Sequence, residues 1–207
     1  GSQIEGHLVL AVEDLKPIIQ HERVEKILLA LPSTSRARRN RILQKLEAEF
    51  GMPLWKCFDF GAGVSTGGLL IITTLLRRTP ARQLVSTYQD LCGKIFAPRP
   101  TPLHVYSVKK LEHELKQHLN ETRMEHFDDK TPRVFVVTRR NYEPEAYLLR
   151  NYNVPPHVAT FRGESGWLCW EAARATSAAQ TFFKPLEHDG IQYTDAAMGF
   201  DNPVLLL

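Results

Sequence analysis

The sequence predicts an α/β sandwich with a largely parallel central sheet. Short apolar runs typical of buried strands alternate along the chain with amphipathic helical patterns, as in parallel sheets covered by helices. One of these runs, around residues 58–72, passes through a glycine-flanked serine directly into an apolar helical pattern. The chain has 207 residues, of which 43% are hydrophobic and 24% charged. That is enough to bury a substantial core in one large domain, with or without an appendage.

The composition argues against several classes of function. A net charge of +3 is too small to favour a nucleic-acid partner. Cys57, Cys92 and Cys169 are widely spaced in apolar contexts, which predicts reduced core residues of a cytoplasmic protein. No spacing of His, Cys or carboxylate residues predicts a metal site. The longest apolar run, residues 69–76, is far short of the ~20 residues of a membrane span, so we expect no transmembrane segment and only peripheral membrane contact.

The first 31 residues allow two interpretations. They hold a short apolar run at residues 8–12 and a helical pattern with four apolar residues on one face: Val24, Ile27, Leu28 and Leu31. The segment is either the first strand and helix of the domain or a lead-in from a neighbouring one. Gly1-Ser2 resembles the remnant of an expression tag, so we expect the chain to be a piece of a larger multidomain protein.

A domain of residues 32–207 is expected to begin with a polar turn and a basic helix. Turn residues at 32–35 precede a helical pattern that starts with arginines and has an apolar face of Ile42, Leu43, Leu46 and Phe50. Arginine side chains at a helix N-terminus lie at the positive end of the helix dipole, which is unfavourable unless an anion binds there. Arg36 and Arg38 are therefore candidates for binding an anionic lipid headgroup. The alternative is a solvated basic turn with no ligand.

The remaining elements continue the alternation of helices and strands. Helices are predicted to begin at Pro80 and after Ser107. Buried strands are predicted at residues 133–138 and 146–152, a short helix at 167–175 and a last strand at 191–195. The last strand ends in Asp195, and Asn202-Pro203 follows a few residues later.

The serine turn is the strongest candidate for a chemical role. Gly63, Ser65 and Gly67 form G-x-S-x-G, in which the glycines allow a sharp strand-to-helix turn that exposes the serine hydroxyl. The following helix would direct its free N–H groups, from Thr66 onward, at an oxygen that becomes negative. The alternative is a structural turn between two buried elements of an unrelated α/β domain.

Several motifs in order give the chain a specific resemblance to a known family. The serine turn, Gly63-Val64-Ser65-Thr66-Gly67-Gly68, has the pattern called a nucleophile elbow, and we use the word elbow for these six residues. Further along the chain, Arg150-Asn151-Tyr152 matches a recurrent R-N-Y motif. Residues 170–183 read W-E-A-A-R-A-T-S-A-A-Q-T-F-F, close to the pattern A-x-R-A-T/S-S-A-A-P-x-Y/F-F. Asp195, with Asn202-Pro203 behind it, completes the set. From about residue 42 to residue 203 the chain resembles the patatin-like phospholipases, a family of plant patatins and animal calcium-independent phospholipases.

The resemblance implies a three-layer α/β/α sandwich of patatin type and a calcium-independent lipid acyl hydrolase that needs no cofactor. Ser65 would be the nucleophile and Asp195 the general base of a dyad working through an acyl-enzyme. The elbow and part of the oxyanion hole would be formed by four neighbouring residues: Gly63, Thr66, Gly67 and Gly68. The substrate would be a phospholipid or another acyl-ester lipid at a membrane surface.

One departure from the family pattern leaves a second function open. The family carries a glycine-rich loop after its first strand, and the N–H groups of that loop form the oxyanion hole. Here the only glycines before Gly51 are Gly1 and Gly6, and Ser33-Thr34-Ser35-Arg36 stands where the loop is expected. One oxyanion donor contributes about 10² to 10³ in rate. The chain is therefore either an active acyl hydrolase or a catalytically impaired patatin-like pseudoenzyme that acts as a binding or regulatory module.

Overall fold

The computed structural model of the chain describes residues 2–4, 7–9, 28–31, 36–95, 106–125, 130–200 and 202–206. The helices in these ranges are α1 (Arg36–Phe50), α2 (Thr66–Ile71), α3 (Ala81–Ile95), α4 (Val108–Leu119) and α5 (Cys169–Thr176). A π-helical stretch, Ile72–Leu76, continues α2, and short 3₁₀ turns cover Leu54–Lys56 and Pro203–Leu206. The strands are β1 (Ser2–Ile4), β2 (His7–Val9), β3 (Leu28–Leu31), β4 (Phe60–Val64), β5 (Arg133–Arg140), β6 (Tyr147–Arg150), β7 (Gly163–Glu164), β8 (Leu186–His188) and β9 (Ile191–Asp195).

The main sheet is mixed. Its strand order is β3-β4-β5-β6-β7, and β9 pairs with both β5 and β8. The pairs β3 with β4, β4 with β5 and β6 with β7 are parallel, whereas β5 with β6, β5 with β9 and β8 with β9 are antiparallel. β1 and β2 pair antiparallel in a separate two-stranded sheet. The α/β class is therefore confirmed at the level of a mixed α/β fold, but a largely parallel sheet is not confirmed.

The two faces of the main sheet carry different hydrophobic clusters. Along β5, Val134 and Val136 face the larger cluster and Phe135 and Val137 face the smaller one, as the two-residue period of a strand requires. All five described helices contribute to the larger cluster. In the described part of the chain, the smaller cluster is covered by the 3₁₀ turn at Leu206 and by residues just after β9. The expected second helical layer is not confirmed there.

One predicted helix is a strand in the structure. Leu28–Leu31 forms β3, which pairs in parallel with β4, so the helical pattern predicted to run through Leu28 and Leu31 is wrong at those residues. Strands of parallel sheets are commonly apolar on both faces, and a short apolar run has no periodicity that separates such a strand from a buried helix. The other two residues of the pattern, Val24 and Ile27, lie outside the described residues.

The element predictions from residue 36 onward are confirmed with small shifts in their bounds. The apolar run at residues 8–12 overlaps β2 at Leu8 and Val9, and its other residues lie outside the described residues. Gly51 ends α1 with a φ of +64°, and its N–H donates to the carbonyl oxygen of Glu47 at 3.1 Å. Ser107 caps α4, because its hydroxyl accepts a hydrogen bond from the N–H of Lys110 at 3.3 Å. The last strand covers the predicted residues, Ile191–Asp195. Among the described residues there is no helix with the length and hydropathy needed to traverse a bilayer.

Two strands meet end to end along one edge of β5. The last residue of β4, Val64, lies opposite Val137 in a parallel pair, and the last residue of β9, Asp195, lies opposite Thr138 in an antiparallel pair. Thr138 also pairs with Tyr147 of β6 on the other edge of β5, so β9 lies along the edge that β4 uses. The C-terminal ends of β4 and β9 therefore face each other at neighbouring register positions.

Candidate active site

Ser65 lies at a strained turn between β4 and α2. Its backbone has φ 54° and ψ −128°, a conformation that costs a residue with a side chain about 1–3 kcal/mol. The turn is closed tightly, because a Cβ on Gly63 would lie 2.5 Å from the backbone carbonyl carbon of Gly67. Only glycine fits at position 63 without moving the first turn of α2. The G-x-S-x-G spacing thus forms the sharp strand-to-helix turn that the sequence predicts.

The second glycine after the serine makes room for a neighbouring helix. A Cβ on Gly68 would lie 2.8 Å from the methyl carbon of Thr176 and 3.1 Å from a methyl carbon of Val136. Thr176 is the last residue of α5 and is fully buried. The absence of a side chain at Gly68 therefore lets α5 and β5 approach the start of α2.

Thr176 also contacts the backbone of the serine turn directly. The N–H of Ser65 donates to the hydroxyl oxygen of Thr176 at 2.8 Å, and that hydroxyl donates to the carbonyl oxygen of Val137 at 2.6 Å. A single hydroxyl thus connects the serine turn to the central strand β5.

Asp195 is buried at the end of β9, with 7% of its surface exposed. Its backbone N–H donates to the carbonyl oxygen of Ala178 at 3.1 Å, and its carboxylate Oδ1 accepts the N–H of Ala197 at 2.9 Å. Ser65 follows Val64, which pairs with the β5 residue next to the partner of Asp195. The structure therefore brings together the two residues that the sequence analysis singled out as a nucleophile and a base.

The surroundings of Asp195 alter its affinity for a proton. Burial raises the pKa of Asp195 above its ordinary value, while hydrogen bonds with Ser65 and with the N–H of Ala197 oppose that rise. Burial is the largest of these influences on the pKa, and it acts by removing water from around the ionised carboxylate. Asp195 is consequently a stronger base than an exposed aspartate.

The first N–H groups of α2 lie next to Ser65. The first hydrogen bond of the helix runs from the N–H of Leu69 to the carbonyl oxygen of Ser65 at 3.2 Å. The N–H groups of Thr66, Gly67 and Gly68 precede it and have no acceptor within the helix itself. These groups carry the positive end of the helix dipole toward the serine.

The end of β3 lies at the same end of the sheet as the serine turn. Leu31, the last residue of β3, pairs with Gly63 of β4, and α1 begins at Arg36. Residues 32–35, where the glycine-rich loop was expected, lie outside the described residues. Arg36 and Arg38 belong to the first turn of α1.

Comparison with known protein families assigns this chain to one of them. A family model described as patatin-like phospholipase matches residues 46–207. The chain belongs to the patatin-like phospholipase family. Patatin-like phospholipases are lipid hydrolases at the level of the family, and the matched region contains both Ser65 and Asp195.

Several relatives are similar to this patatin-like chain. The mouse 85/88 kDa calcium-independent phospholipase A2 is 28% identical over 226 aligned residues, which cover 95% of this chain and 26% of the relative. The human calcium-independent phospholipase A2-gamma is 26% identical over 178 residues, covering 79% of this chain and 23% of the relative. An intracellular phospholipase A2 of Caenorhabditis elegans is 28% identical over 162 residues, covering 77% and 14%. The chain therefore spans about a quarter of the length of the first two relatives.

Thr176 had no predicted role, although it lies in the segment 170–183 that matches the family pattern. The available signal was the patatin-like A-T-S-A-A stretch at residues 175–179, whose contacts with the serine turn depend on the fold. Four apolar residues of α2 and the C-terminal part of the chain differ in placement: Leu69 and Phe183 are buried in the larger cluster and Phe200 packs against the smaller one, while Phe182 is 46% exposed. Among the described residues, no group of three or more His, Cys, Asp or Glu residues is arranged to hold a metal ion.

Proposed function

We propose that this chain is a lipid acyl hydrolase that uses Ser65 as nucleophile and Asp195 as general base. The observation that carries the proposal is the end-to-end meeting of β4 and β9 along β5, which puts Val64 and Asp195 opposite neighbouring residues of that strand. Ser65 follows Val64 directly, so the proposed nucleophile and the buried carboxylate lie at neighbouring register positions. A serine next to a buried base is the arrangement that nucleophilic acyl transfer requires.

The first half of the reaction forms an acyl-enzyme. Ser65 Oγ attacks the ester carbonyl carbon while the Asp195 carboxylate takes the hydroxyl proton. The tetrahedral intermediate collapses, the bond from carbonyl carbon to alcohol oxygen breaks, and the alcohol leaves with the proton returned by Asp195. The acyl group then remains on Ser65 Oγ as an ester.

The second half of the reaction releases the fatty acid. Asp195 takes a proton from a water molecule, whose oxygen attacks the acyl-enzyme carbonyl. The bond to Ser65 Oγ breaks, the proton on Asp195 passes to Ser65, and the fatty acid leaves. We assign both proton transfers to Asp195 without a histidine, and the raised pKa that burial gives its carboxyl group supports this assignment.

We also propose that the first turn of α2 supplies part of the oxyanion hole. The N–H groups of Thr66 and Gly67 are the candidate donors, supported by their position ahead of the first hydrogen bond of the helix. β3 ends opposite Gly63, and residues 32–35, which follow it in the sequence, lie outside the described residues. Arg36 and Arg38 would bind the anionic headgroup of the substrate.

The proposed substrate is a phospholipid or another acyl-ester lipid at a membrane surface. Its support is the family match and the phospholipase A2 names of the relatives. Calcium independence is part of the mouse and human names and is proposed here for this chain, with no cofactor. We propose an acyl hydrolase domain of residues 32–207 within a larger protein. Leu28–Leu31, at the end of the 1–31 segment, adds a strand to its sheet by pairing with β4. We propose a cytoplasmic location with peripheral membrane contact.

A second candidate function is a patatin-like binding module without turnover. It is favoured by one observation, the absence of a glycine-rich sequence between Gly6 and Gly51. A site that lacked a pair of loop donors would lose about 10² to 10³ in rate for each. Such a module would bind acyl lipid in the fold and would have no chemical need for Ser65.

The decisive experiment is a hydrolysis assay with two substrates in the presence of a calcium chelator. Release of nitrophenol from p-nitrophenyl butyrate and of fatty acid from phosphatidylcholine vesicles is measured for the unmodified chain, Ser65→Ala, Asp195→Asn and the control Ser86→Ala. Ser86 is exposed on α3, where its hydroxyl donates to the carbonyl oxygen of Gln83, so this control removes a serine hydroxyl away from the site.

The expected result is turnover by the unmodified chain and by Ser86→Ala, with losses of about 10³-fold or more in Ser65→Ala and Asp195→Asn, as in other enzymes whose nucleophile or base is removed. Equal turnover in the unmodified chain and Ser65→Ala would overturn the hydrolase proposal. Vesicle binding that persists without turnover, and is unchanged in Ser65→Ala, would instead favour the binding module.

A further inference from the structure

Thr176 is a buried polar residue that the proposed mechanism does not use. It ends α5 with no exposed surface, and its hydroxyl both accepts from the N–H of Ser65 at 2.8 Å and donates to the carbonyl oxygen of Val137 at 2.6 Å. Both bonds have the short distances of well-formed hydrogen bonds. The hydroxyl thus joins one group on the serine turn to one group on β5.

The hydroxyl occupies the place where the β4–β5 ladder stops. The parallel ladder ends with Val64 opposite Val137, and at Ser65 the chain turns into the strained conformation with φ 54°. Strain of this kind persists only where the surroundings over-determine it. Here the Thr176 hydroxyl accepts a hydrogen bond from the N–H of Ser65, the first residue past the ladder, and donates one to the carbonyl oxygen of Val137 on β5.

The same segment also holds Asp195. Two residues after Thr176, the carbonyl oxygen of Ala178 accepts the backbone N–H of Asp195 at 3.1 Å. The Thr176 methyl group packs against Gly68 at the start of α2, where a Cβ would lie 2.8 Å away. Residues 176–178 therefore contact both halves of the proposed dyad and the helix that follows the serine.

We propose that Thr176 is a positioning residue, whose hydroxyl holds the Ser65 backbone in the strained turn and so aims Ser65 Oγ at Asp195. The consequence for catalysis rests on the proposed function, whereas the consequence for the Ser65 backbone does not. Valine has the shape of threonine without the hydroxyl, so Thr176→Val would leave the Ser65 N–H and the Val137 carbonyl without their shared partner. Serine would keep that partner and lose only the methyl group.

The test compares Thr176→Val and Thr176→Ser with the control Thr74→Val. Thr74 is also buried, and its hydroxyl donates to a backbone carbonyl, that of Leu70, at 2.6 Å, but it lies more than two turns along the helix from Ser65. We expect Thr176→Val to lower kcat by about 10- to 10²-fold at nearly unchanged KM, the range for small misplacements of a reacting group. Thr176→Ser should recover most of that loss, and Thr74→Val should lower thermal stability without lowering kcat.

A second readout does not depend on turnover. Hydrogen exchange of the Ser65 amide, followed by NMR, should be faster by about tenfold in Thr176→Val than in the unmodified chain and Thr176→Ser, as loss of one hydrogen bond implies. Unchanged exchange at Ser65 in Thr176→Val would overturn the positioning role, and so would a kcat that Thr176→Ser fails to recover. If the unmodified chain shows no turnover but the exchange rate of the Ser65 amide still rises in Thr176→Val, the proposed function is refuted and the positioning role is retained.

Discussion

Adding one methyl group at Gly63 tests how tightly the serine turn is built. In Gly63→Ala the new Cβ would lie 2.5 Å from the backbone carbonyl carbon of Gly67, while carbon atoms in contact prefer a separation of about 3.5 Å. The first turn of α2 must therefore move by about 1 Å. Overpacking of this kind costs about 1–3 kcal/mol of unfolding free energy. A displacement of about 1 Å at a reacting group costs about 10²-fold in rate.

The matched control places the same methyl group where there is room for it. Gly93 lies inside α3, and a Cβ there meets no atom within 4 Å. Gly93→Ala should raise the unfolding free energy by about 0.5–1 kcal/mol, because alanine loses less backbone entropy in a helix than glycine does. The two glycine-to-alanine changes are thus expected to shift stability in opposite directions.

Two assays separate the predicted effects of Gly63→Ala. Urea unfolding, followed by far-UV circular dichroism, gives the change in unfolding free energy, and labelling of Ser65 by a fluorophosphonate gives its reactivity. Gly63→Ala should unfold at lower urea and label about 10²-fold more slowly than the unmodified chain. A variant with unchanged stability and labelling rate would refute the close packing of the turn. Lower stability with unchanged labelling would refute the link between that packing and the placement of Ser65.

Two further predictions concern the proposed dyad. Asp195→Asn should be more stable than the unmodified chain near pH 8, since it removes a buried carboxylate whose pKa is raised by burial. A raised pKa in the folded state means that the carboxyl stabilises the fold most at low pH and that this contribution is lost as pH rises through the folded-state value. The advantage of Asp195→Asn in thermal melts should therefore shrink on acidification, and an advantage that grows would contradict the raised pKa. Ser65→Gly should be more stable than Ser65→Ala by about 1 kcal/mol in urea unfolding, because glycine relieves about 1–3 kcal/mol of backbone strain in the folded state. The larger conformational entropy of glycine in the unfolded state offsets part of that gain. Equal stabilities of the two variants would indicate an unstrained turn.

Local sequence signals predicted the elements around the site well. Gly63, Ser65 and Gly67 predicted the turn between β4 and α2, because tight strand-to-helix turns need residues without side chains at fixed offsets. Gly51 and Ser107 marked a helix end and a helix start for equally local reasons. Such signals act within a few residues, so they survive without knowledge of the rest of the fold.

Strand pairing could not be predicted in the same way. Leu28–Leu31 is a short apolar run that fits a buried strand and a buried helix equally well, and only its pairing with β4 makes it a strand. The alternation of helices and strands favoured a parallel sheet, but β6 and β9 both run antiparallel to β5. The direction of a strand depends on the path of the chain between elements, which local composition does not encode.

The sequence by itself determined the serine turn, the aspartate at the end of the last strand and the resemblance that linked the two. Tertiary structure decided that β4 and β9 meet end to end along β5, which brings Ser65 and Asp195 together. It also decided the contacts of Thr176, whose two hydrogen bonds reach residues far away in the chain. The physical reason is that turns depend on the conformations of neighbouring residues, whereas a site of this kind depends on long-range pairing and burial that only the folded chain provides.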